Sequence, residues 1–375
     1  MILQSVELRA FRNLATQDVR LSRQATVVHG PNGQGKTNFL EAIYLLCTLR
    51  PLRATRLHEL IRLGGEGPAV VRGGFDLPGG VRTVEVEISP GGRTARLDGK
   101  PVRDPDELFG GLATVAFTPD DLSVVKDGPE GRRKLLDRAV QNRHPAHLAD
   151  ARDYLKALKS RNQLLRQGAE EALIDSFDEP LARAGARIRL RREAVLDELR
   201  PHAARAFAEV ARGEAALELQ YQAAGRDSDE LGALNGEEEL RQRLLLALAR
   251  RLPRDRERGY TSVGPHADDL AIHLGDRAAR LYASQGQTRA VVLAFKIGEI
   301  ENLRAMQGRA PLLLLDDVSS ELDPERNAYL MAYLAALNGQ VVLTTTDPEL
   351  VPGEALFYAV REGALTCTEA DSARS

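Results

Sequence analysis

The 375-residue chain contains no tryptophan, and aromatic residues make up only 5% of it. A broad aromatic platform for stacking nucleic-acid bases is therefore not expected. The two cysteines, Cys47 and Cys367, lie near opposite ends of the chain. Two are too few for a disulfide framework or a cysteine-rich zinc site, so a reducing interior is the expected setting. No run approaches the roughly 18 apolar residues of a membrane-spanning helix. The opening Met1–Arg9 is interrupted by Glu7 and Arg9 too early for an apolar signal core. These absences predict a soluble, cytoplasmic protein with no membrane partner. An excess of positive charge is missing too: the formal net charge is −3. If nucleic acid is bound, the cations that meet it must be segregated onto one face.

What is present sorts into two textures. Ile2, Val6 and Leu8 alternate with Ser5, Glu7 and Arg9, the period of a half-buried strand. Ala25–Val28 is a short strand entering a glycine-rich turn. Beyond the turn Phe39, Leu40, Ile43, Leu46 and Cys47 recur at helical spacing, predicting an amphipathic helix. Residues 81–88 alternate again, and Asp98-Gly99 marks a hairpin turn within 94–102. After Pro129 the chain becomes rich in Ala, Leu and Arg, a helical composition. Residues 132–212 hold 18 Arg and Lys against 12 Asp and Glu, which is either a basic binding surface or an ordinary solvated helical face. Helix resumes over 237–251 and is expected to end near Pro253, while the polar stretch 225–239 reads as loop. A helix over 288–307 and buried strands at 312–315 and 340–346 restore the α/β pattern. The expected organisation is an α/β head made from 1–130 and 255–375, with a helical arm, 131–254, inserted between.

The segment Gly30-Pro31-Asn32-Gly33-Gln34-Gly35-Lys36-Thr37 fits the G-x-x-x-x-G-K-[ST] phosphate loop in full, with a strand leading in and a helix leading out. Glycines let backbone N–H groups turn toward a β-phosphate, and the helix N-terminus adds its positive end. Lys36 is placed to neutralise the β- and γ-phosphates of ATP, and the Thr37 hydroxyl to ligate Mg²⁺; Asn38 follows directly. Far along the chain, Leu312–Leu315 delivers Asp316 and Asp317 to the carboxyl end of a buried strand, where doubly wound sheets bind ligands. Asp316 would complete the Mg²⁺ shell, and Asp317 would accept a proton from the attacking water.

A second candidate anion site is Ser284-Gln285-Gly286-Gln287, a hydroxyl and a bare glycine at a helix start. Plain helix capping by Ser284 is the competing reading. One nucleotide does not need two phosphate sites in one chain, so a head-to-tail pair of copies, each signature turn capping the other's γ-phosphate, is the physical solution. Ser320-Glu321-Leu322-Asp323 follows the acidic strand, with Asp323 and Pro324 forming a helix start. Val341–Leu343 then leads to Thr344-Thr345-Thr346-Asp347, where Thr345 or Thr346 would sense the γ-phosphate in place of the histidine of transporter ATPases.

The motif set resembles ABC/SMC-type P-loop ATPase heads, and within that group the RecF family. Leu8, Phe11-Arg12-Asn13-Leu14 and the phosphate loop carry the resemblance at the start of the chain. Pro119-Asp120, Gly128-Pro129, Arg132-Arg133, Gly264-Pro265-His266, Asp269-Leu270 and Ala283–Gln287 continue it, and Asp316 to Asp323 complete it. The resemblance implies a head with a mixed-sheet core, an antiparallel β region and the inserted helical arm. It also implies an ATP-driven homodimer that binds DNA without sequence readout, double-stranded or at gap junctions. Weak, DNA-stimulated hydrolysis, and action with RecR and RecO in loading RecA during gap repair, belong to the same expectation. Ala267 departs from the arginine common in the family after His266. Arg12 and Asn13 are candidates for nucleotide contact or for a loop salt bridge, and His266 for nucleotide contact or turn capping. An SMC-type tether would need long coiled coils that the arm lacks. A monomeric P-loop enzyme would leave Ser284–Gln287 without a purpose.

Overall fold

The β-branched run Ala25–His29 is a buried strand, and the far end of the chain supplies two more, Leu312–Asp316 and Val341–Thr345. In the computed structural model they lie in one six-stranded sheet. Its order is Ala364–Thr368, Leu356–Arg361, Ala25–His29, Val341–Thr345, Leu312–Asp316, Thr114–Phe117. All neighbours pair in parallel except the edge strand Ala364–Thr368. Continuous apolar strands such as Leu312–Leu315 are what a parallel sheet buried on both faces requires. The structure describes residues 1–53, 56–65, 67–77, 79–102, 112–211, 215–225, 236–351 and 354–368.

A second sheet is wholly antiparallel, ordered Gln17–Arg20, Ile2–Arg9, Ala69–Leu77, Gly80–Ser89, Gly92–Leu97, Lys100–Pro101. The helix Lys36–Thr48 touches strands of both sheets and is buried at every residue from Phe39 to Thr48. The spacing predicts a one-sided helix; the structure buries it all round, as a helix held between two sheets must be. Glu41 is tolerated there because both carboxylate oxygens are satisfied, by Arg12 Nε at 2.6 Å and by the Arg53 backbone N–H at 2.9 Å.

Two compact units divide the chain: Met1–Leu122 with Glu299–Ser375, and Ser123–Gly298. The helical unit thus takes in 255–298, which composition assigns to the head. The reason is long-range pairing. Strand Asp269–Leu274 runs antiparallel to Leu217–Gln222 along its whole length, and no local pattern announces that match. The long helices lying wholly in this unit include Pro129–Arg143, His147–Gln167, Asp178–Val210 and Glu237–Arg258. Pro253 does not end the last of them. The helix runs on to a left-handed Gly259, whose N–H donates to Asp255 O at 2.8 Å. Buried Leu252 and Asp255 hold this final turn against proline's local preference. Residues 226–235 of the expected loop lie outside the described residues.

Much of the arginine in this unit is structural. Arg132 grips Asp269 with two bonds of 2.8 Å, Arg189 grips Asp268 at 2.6 and 2.8 Å, and Arg192 grips Asp137 at 2.8 and 2.9 Å. All three guanidinium groups are buried. Burial alone would raise the Asp137 carboxyl, but Arg192 and the hydrogen bond to His147 hold it far below its usual range. A basic count over 132–212 therefore overstates the positive surface. Among the described residues no helix is long and apolar enough to cross a membrane.

Candidate nucleotide-binding site

Strand Ala25–His29 ends at Gly30, and the loop turns into helix Lys36–Thr48 at Gly35. Gly35 has φ +119°, a conformation that side-chain-bearing residues rarely adopt, and a Cβ there would lie 2.9 Å from Leu14 Cδ2, so substitution here is strained. Lys36 follows. Its Nζ donates to Gly30 O at 2.6 Å, to Pro31 O at 3.1 Å and to Asn32 Oδ1 at 3.3 Å, which keeps the amine inside the loop. Burial lowers the ammonium pKa, opposed by the charges of Asp317 and Asp316.

Across the loop, Thr37 Oγ1 donates to Asp316 Oδ1 at 2.8 Å, joining residues 279 apart in sequence. Thr344 Oγ1 donates to the same oxygen at 2.9 Å. The other oxygen, Asp316 Oδ2, lies 3.2 Å from Arg53 Nη2, and Arg53 Nε lies 3.5 Å from Asp120 Oδ2. Asp317 adopts a left-handed conformation, φ 50°, with its N–H 3.0 Å from Thr344 Oγ1. Its Oδ1 is buried and accepts no hydrogen bond among the described residues. A cavity of about 300 Å³ here is lined by residues that include Asn32, Lys36, Thr37, Arg53, Asp316 and Asp317. The donor set is all hard oxygen: a hydroxyl, a carboxylate it already touches, and an unpartnered carboxylate oxygen. That set suits Mg²⁺ beside phosphate.

Gln34 is braced from the far end of the chain. Gly363 N–H donates to Gln34 O at 3.0 Å, and Glu362 N–H donates to Gln34 Oε1 at 2.7 Å. Arg12 takes the salt-bridge role with Glu41. Asn13 stands beside the loop, accepting from Asn38 Nδ2 at 2.7 Å. Asp323 caps helix Pro324–Ala336 through Arg326 N–H at 3.0 Å, and Ser320 Oγ donates to Asp317 O at 2.8 Å. Of the three threonines, Thr344 is the one hydrogen-bonded to Asp316. Thr345 Oγ1 is engaged in the turn with Asp347, Thr346 is exposed, and none of the three lines the cavity. Arg53 and Thr344 are thus the two contributors that motif reading passes over.

In the helical unit, Ser284 and Gln287 form a reciprocal capping box. Gln287 N–H donates to Ser284 Oγ at 3.1 Å, and Ser284 N–H donates to Gln287 Oε1 at 2.9 Å. Ser284 and Gln285 stay exposed, with Gly286 half-buried. Lys36 and Ser284 thus belong to different compact units. His266 caps a turn: Nδ1 lies 2.6 Å from Tyr154 Oη and Nε2 2.9 Å from Thr261 O, and burial lowers its pKa. Among the described residues no group of three or more His, Cys, Asp or Glu is arranged to hold a metal.

The family described as RecF/RecN/SMC N terminal domain matches residues 2–366. A protein named DNA replication and repair protein RecF, from Anaeromyxobacter sp. (strain Fw109-5), is 56% identical over 370 residues, 98% of this chain and 99% of that one. The chain belongs to the RecF family. A RecF protein from Myxococcus xanthus (strain DK1622) is 54% identical over 95% of this chain and 93% of its own. A solved structure described as the recombination mediator protein RecF with ATP in the RecFOR pathway matches with a TM-score of 0.86. It is 32% identical, over 98% of this chain and 97% of that one. An SMC head bound to the C-winged helix domain of ScpA matches at TM-score 0.56 and 16% identity, which relates the RecF fold to SMC heads and no more.

Proposed function

We propose that the chain is an ATP-driven DNA clamp of recombinational gap repair, a homodimer when ATP is bound, acting with RecO and RecR in loading RecA. The observation that carries the reading is the Thr37–Asp316 hydrogen bond of 2.8 Å beside buried Lys36. It joins the two halves of a phosphate site contributed by opposite ends of the chain. The solved RecF structures, described with ATP and placed in the RecFOR pathway, support the same reading.

In this reading the loop amides and Lys36 bind the β- and γ-phosphates, and Lys36 exchanges its carbonyl partners for phosphate oxygens. Thr37 and Asp316 would hold Mg²⁺, which neutralises phosphate charge when bound. Asp317 Oδ1, which accepts no hydrogen bond among the described residues, takes the proton of the attacking water. Ser284 and Gly286 of a second copy complete the site, with Ser320–Asp323 along the contact. Closure grips DNA by its backbone, and slow, DNA-stimulated hydrolysis releases it.

The test is molar mass by light scattering, with and without ATP–Mg²⁺. The wild type is expected to double in mass on ATP. Lys36→Met is expected to lose both nucleotide and dimer. Ser284→Arg is expected to keep nucleotide binding and lose only the dimer. If the mass stays that of a monomer and Ser284→Arg behaves as wild type, Ser284 is only a helix cap and the chain is a monomeric P-loop enzyme.

A second expected outcome concerns the base. Asp317→Asn should keep ATP binding and the dimer while hydrolysis falls by roughly 10²-fold or more. Single-turnover hydrolysis measured beside light scattering checks it; an unchanged rate removes Asp317 from the chemistry.

A further inference from the structure

With so many arginines of the helical unit committed to buried pairs, its remaining cations stand out. Helix His147–Gln167 buries one face, through Tyr154, Ala157, Leu158, Arg161 and Leu165. On the other side Arg152, Lys156, Lys159 and Arg166 are all exposed, with Gln163 between them. Their offsets of four, three and seven residues place them within about 80° of arc at 3.6 residues per turn, in a row about 21 Å long. Among the described residues the carboxylate paired with the row is exposed Asp153, 3.2 Å from Arg152 Nε. Lys156, Lys159 and Arg166 form no salt bridge among the described residues. By contrast Asp150, on the same helix, is taken up by Arg187 and Arg191.

We propose that the row Arg152, Lys156, Lys159 and Arg166 is the surface on which this chain holds the phosphate backbone of DNA. The inference rests on the DNA-clamp reading above and names the surface that does the clamping. A straight row of cations without aromatic side chains suits a regular polyanion bound without reading its bases. Its length spans about six base-pair steps of duplex at about 3.4 Å each. A membrane surface would call for a broad apolar face beside the cations; beside this row the exposed leucine is Leu155, and the other leucines of the helix are buried or half-buried. The row also meets the requirement set by a net charge of −3, that positive charge be collected in one place.

The test uses the full chain with ATP–Mg²⁺ and a fluorescein-labelled 30-base-pair duplex, read by anisotropy across a salt series. In the triple variant Lys156→Gln, Lys159→Gln, Arg166→Gln the slope of log affinity against log salt is expected to flatten by about 2.7, at about 0.9 per lost phosphate contact. Affinity at 0.1 M salt should fall roughly 10- to 100-fold. A charge-matched control, Arg183→Gln, Arg241→Gln, Arg243→Gln, removes cations that are already paired and should leave the slope within about 0.5 of wild type. All positions in the row are exposed, so circular dichroism and ATP binding should match wild type. An unchanged slope in the row variant, or an equal loss in the control, overturns the row while leaving the clamp reading in place. Failure of the wild type to bind duplex, gapped or single-stranded probes overturns both. Binding to phosphatidylserine vesicles but not to duplex reassigns the row to membrane.

Discussion

Arg161→Met is expected to destabilise the helical unit by about 3–5 kcal/mol, the usual loss when one member of a buried ion pair is removed. Among the described residues Arg161 is the largest fully buried side chain, with no exposed surface. Its Nε donates to Asp178 Oδ1 at 2.7 Å, and its Nη1 to Asp255 Oδ2 at 3.3 Å and to Thr261 Oγ1 at 2.9 Å. One guanidinium therefore ties the start of helix Asp178–Val210 and the end of helix Glu237–Arg258 to helix His147–Gln167. Methionine fills the space but leaves two carboxylates facing each other without a counter-charge. At roughly 2–4 °C per kcal/mol for a unit of this size, the helical transition should drop by roughly 10 °C.

The pH dependence distinguishes lost charge from lost packing. Burial already pushes the Asp178 carboxyl above its ordinary value, and Arg161 is the main group holding it down. Without Arg161 the folded-state pKa rises further above the unfolded one. Such a group favours folding at acid pH and loses that contribution as pH rises through its folded value. The deficit of Arg161→Met relative to wild type should therefore shrink between pH 7.5 and pH 5. Urea unfolding at both values, followed at 222 nm, measures it. Arg183→Met is the reference; its pair with Glu179 is exposed, and its loss should stay within about 0.5 kcal/mol. A deficit below about 1 kcal/mol, or one that grows on acidification, rejects the argument.

The same residues show where sequence is legible and where it stops. Gly30–Thr37 and Leu312–Asp317 can be read directly, because each feature needs particular residue types at fixed local spacing. Glycine stands where the backbone crowds Leu14, and carboxylates stand where a buried strand ends. That two ends of the chain form one sheet follows from pairing those motifs, and the parallel register of Leu312–Asp316 with Val341–Thr345 is its physical form. Arg161, Arg189 and Arg192 could not be told from surface arginines, since their carboxylate partners lie 17 to 94 residues away on other elements. The run of three threonines is hard to read for a different reason. Alternation along a strand sends neighbouring hydroxyls to opposite faces, and which of them meets the Asp316 carboxylate, here Thr344, is set by tertiary packing. Pro253 is a local rule overruled by tertiary contacts, the buried Asp255 among them.

The turn behind the phosphate loop should prove as sensitive as the loop itself. Gly363 has φ +80°, and a Cβ built on it would lie 1.9 Å from the backbone oxygen of Asn13. Backbone cannot rotate aside as a side chain can, so Gly363→Ala must displace either Asn13–Leu14 or the turn. Both displacements reach the site. Gly363 O accepts from Ala15 N–H at 2.9 Å and Gln17 Nε2 at 3.1 Å, while Gly363 N–H holds Gln34 O. Gly99 supplies the control. Its φ of +77° is nearly the same, but no atom lies within 4 Å of the Cβ position. Gly99→Ala therefore carries only the left-handed strain, about 1 kcal/mol. Gly363→Ala carries that strain together with the collision and should lose about 3 kcal/mol, the upper end of ordinary single substitutions. In thermal unfolding the difference between the two variants, about 2 kcal/mol, should appear as roughly 4–8 °C. Gly363→Ala alone should also weaken ATP binding, by roughly tenfold if about 1.4 kcal/mol of the strain is released on the loop. Equal melting temperatures for the two alanine variants would mean that the turn yields freely and that the hairpin Leu356–Thr368 does not brace the loop. A large loss of stability with unchanged ATP affinity would confine the hairpin to holding the sheet together. Both effects together make Gln34 and Gly363 one mechanical unit, linking the end of the chain to the loop that grips phosphate.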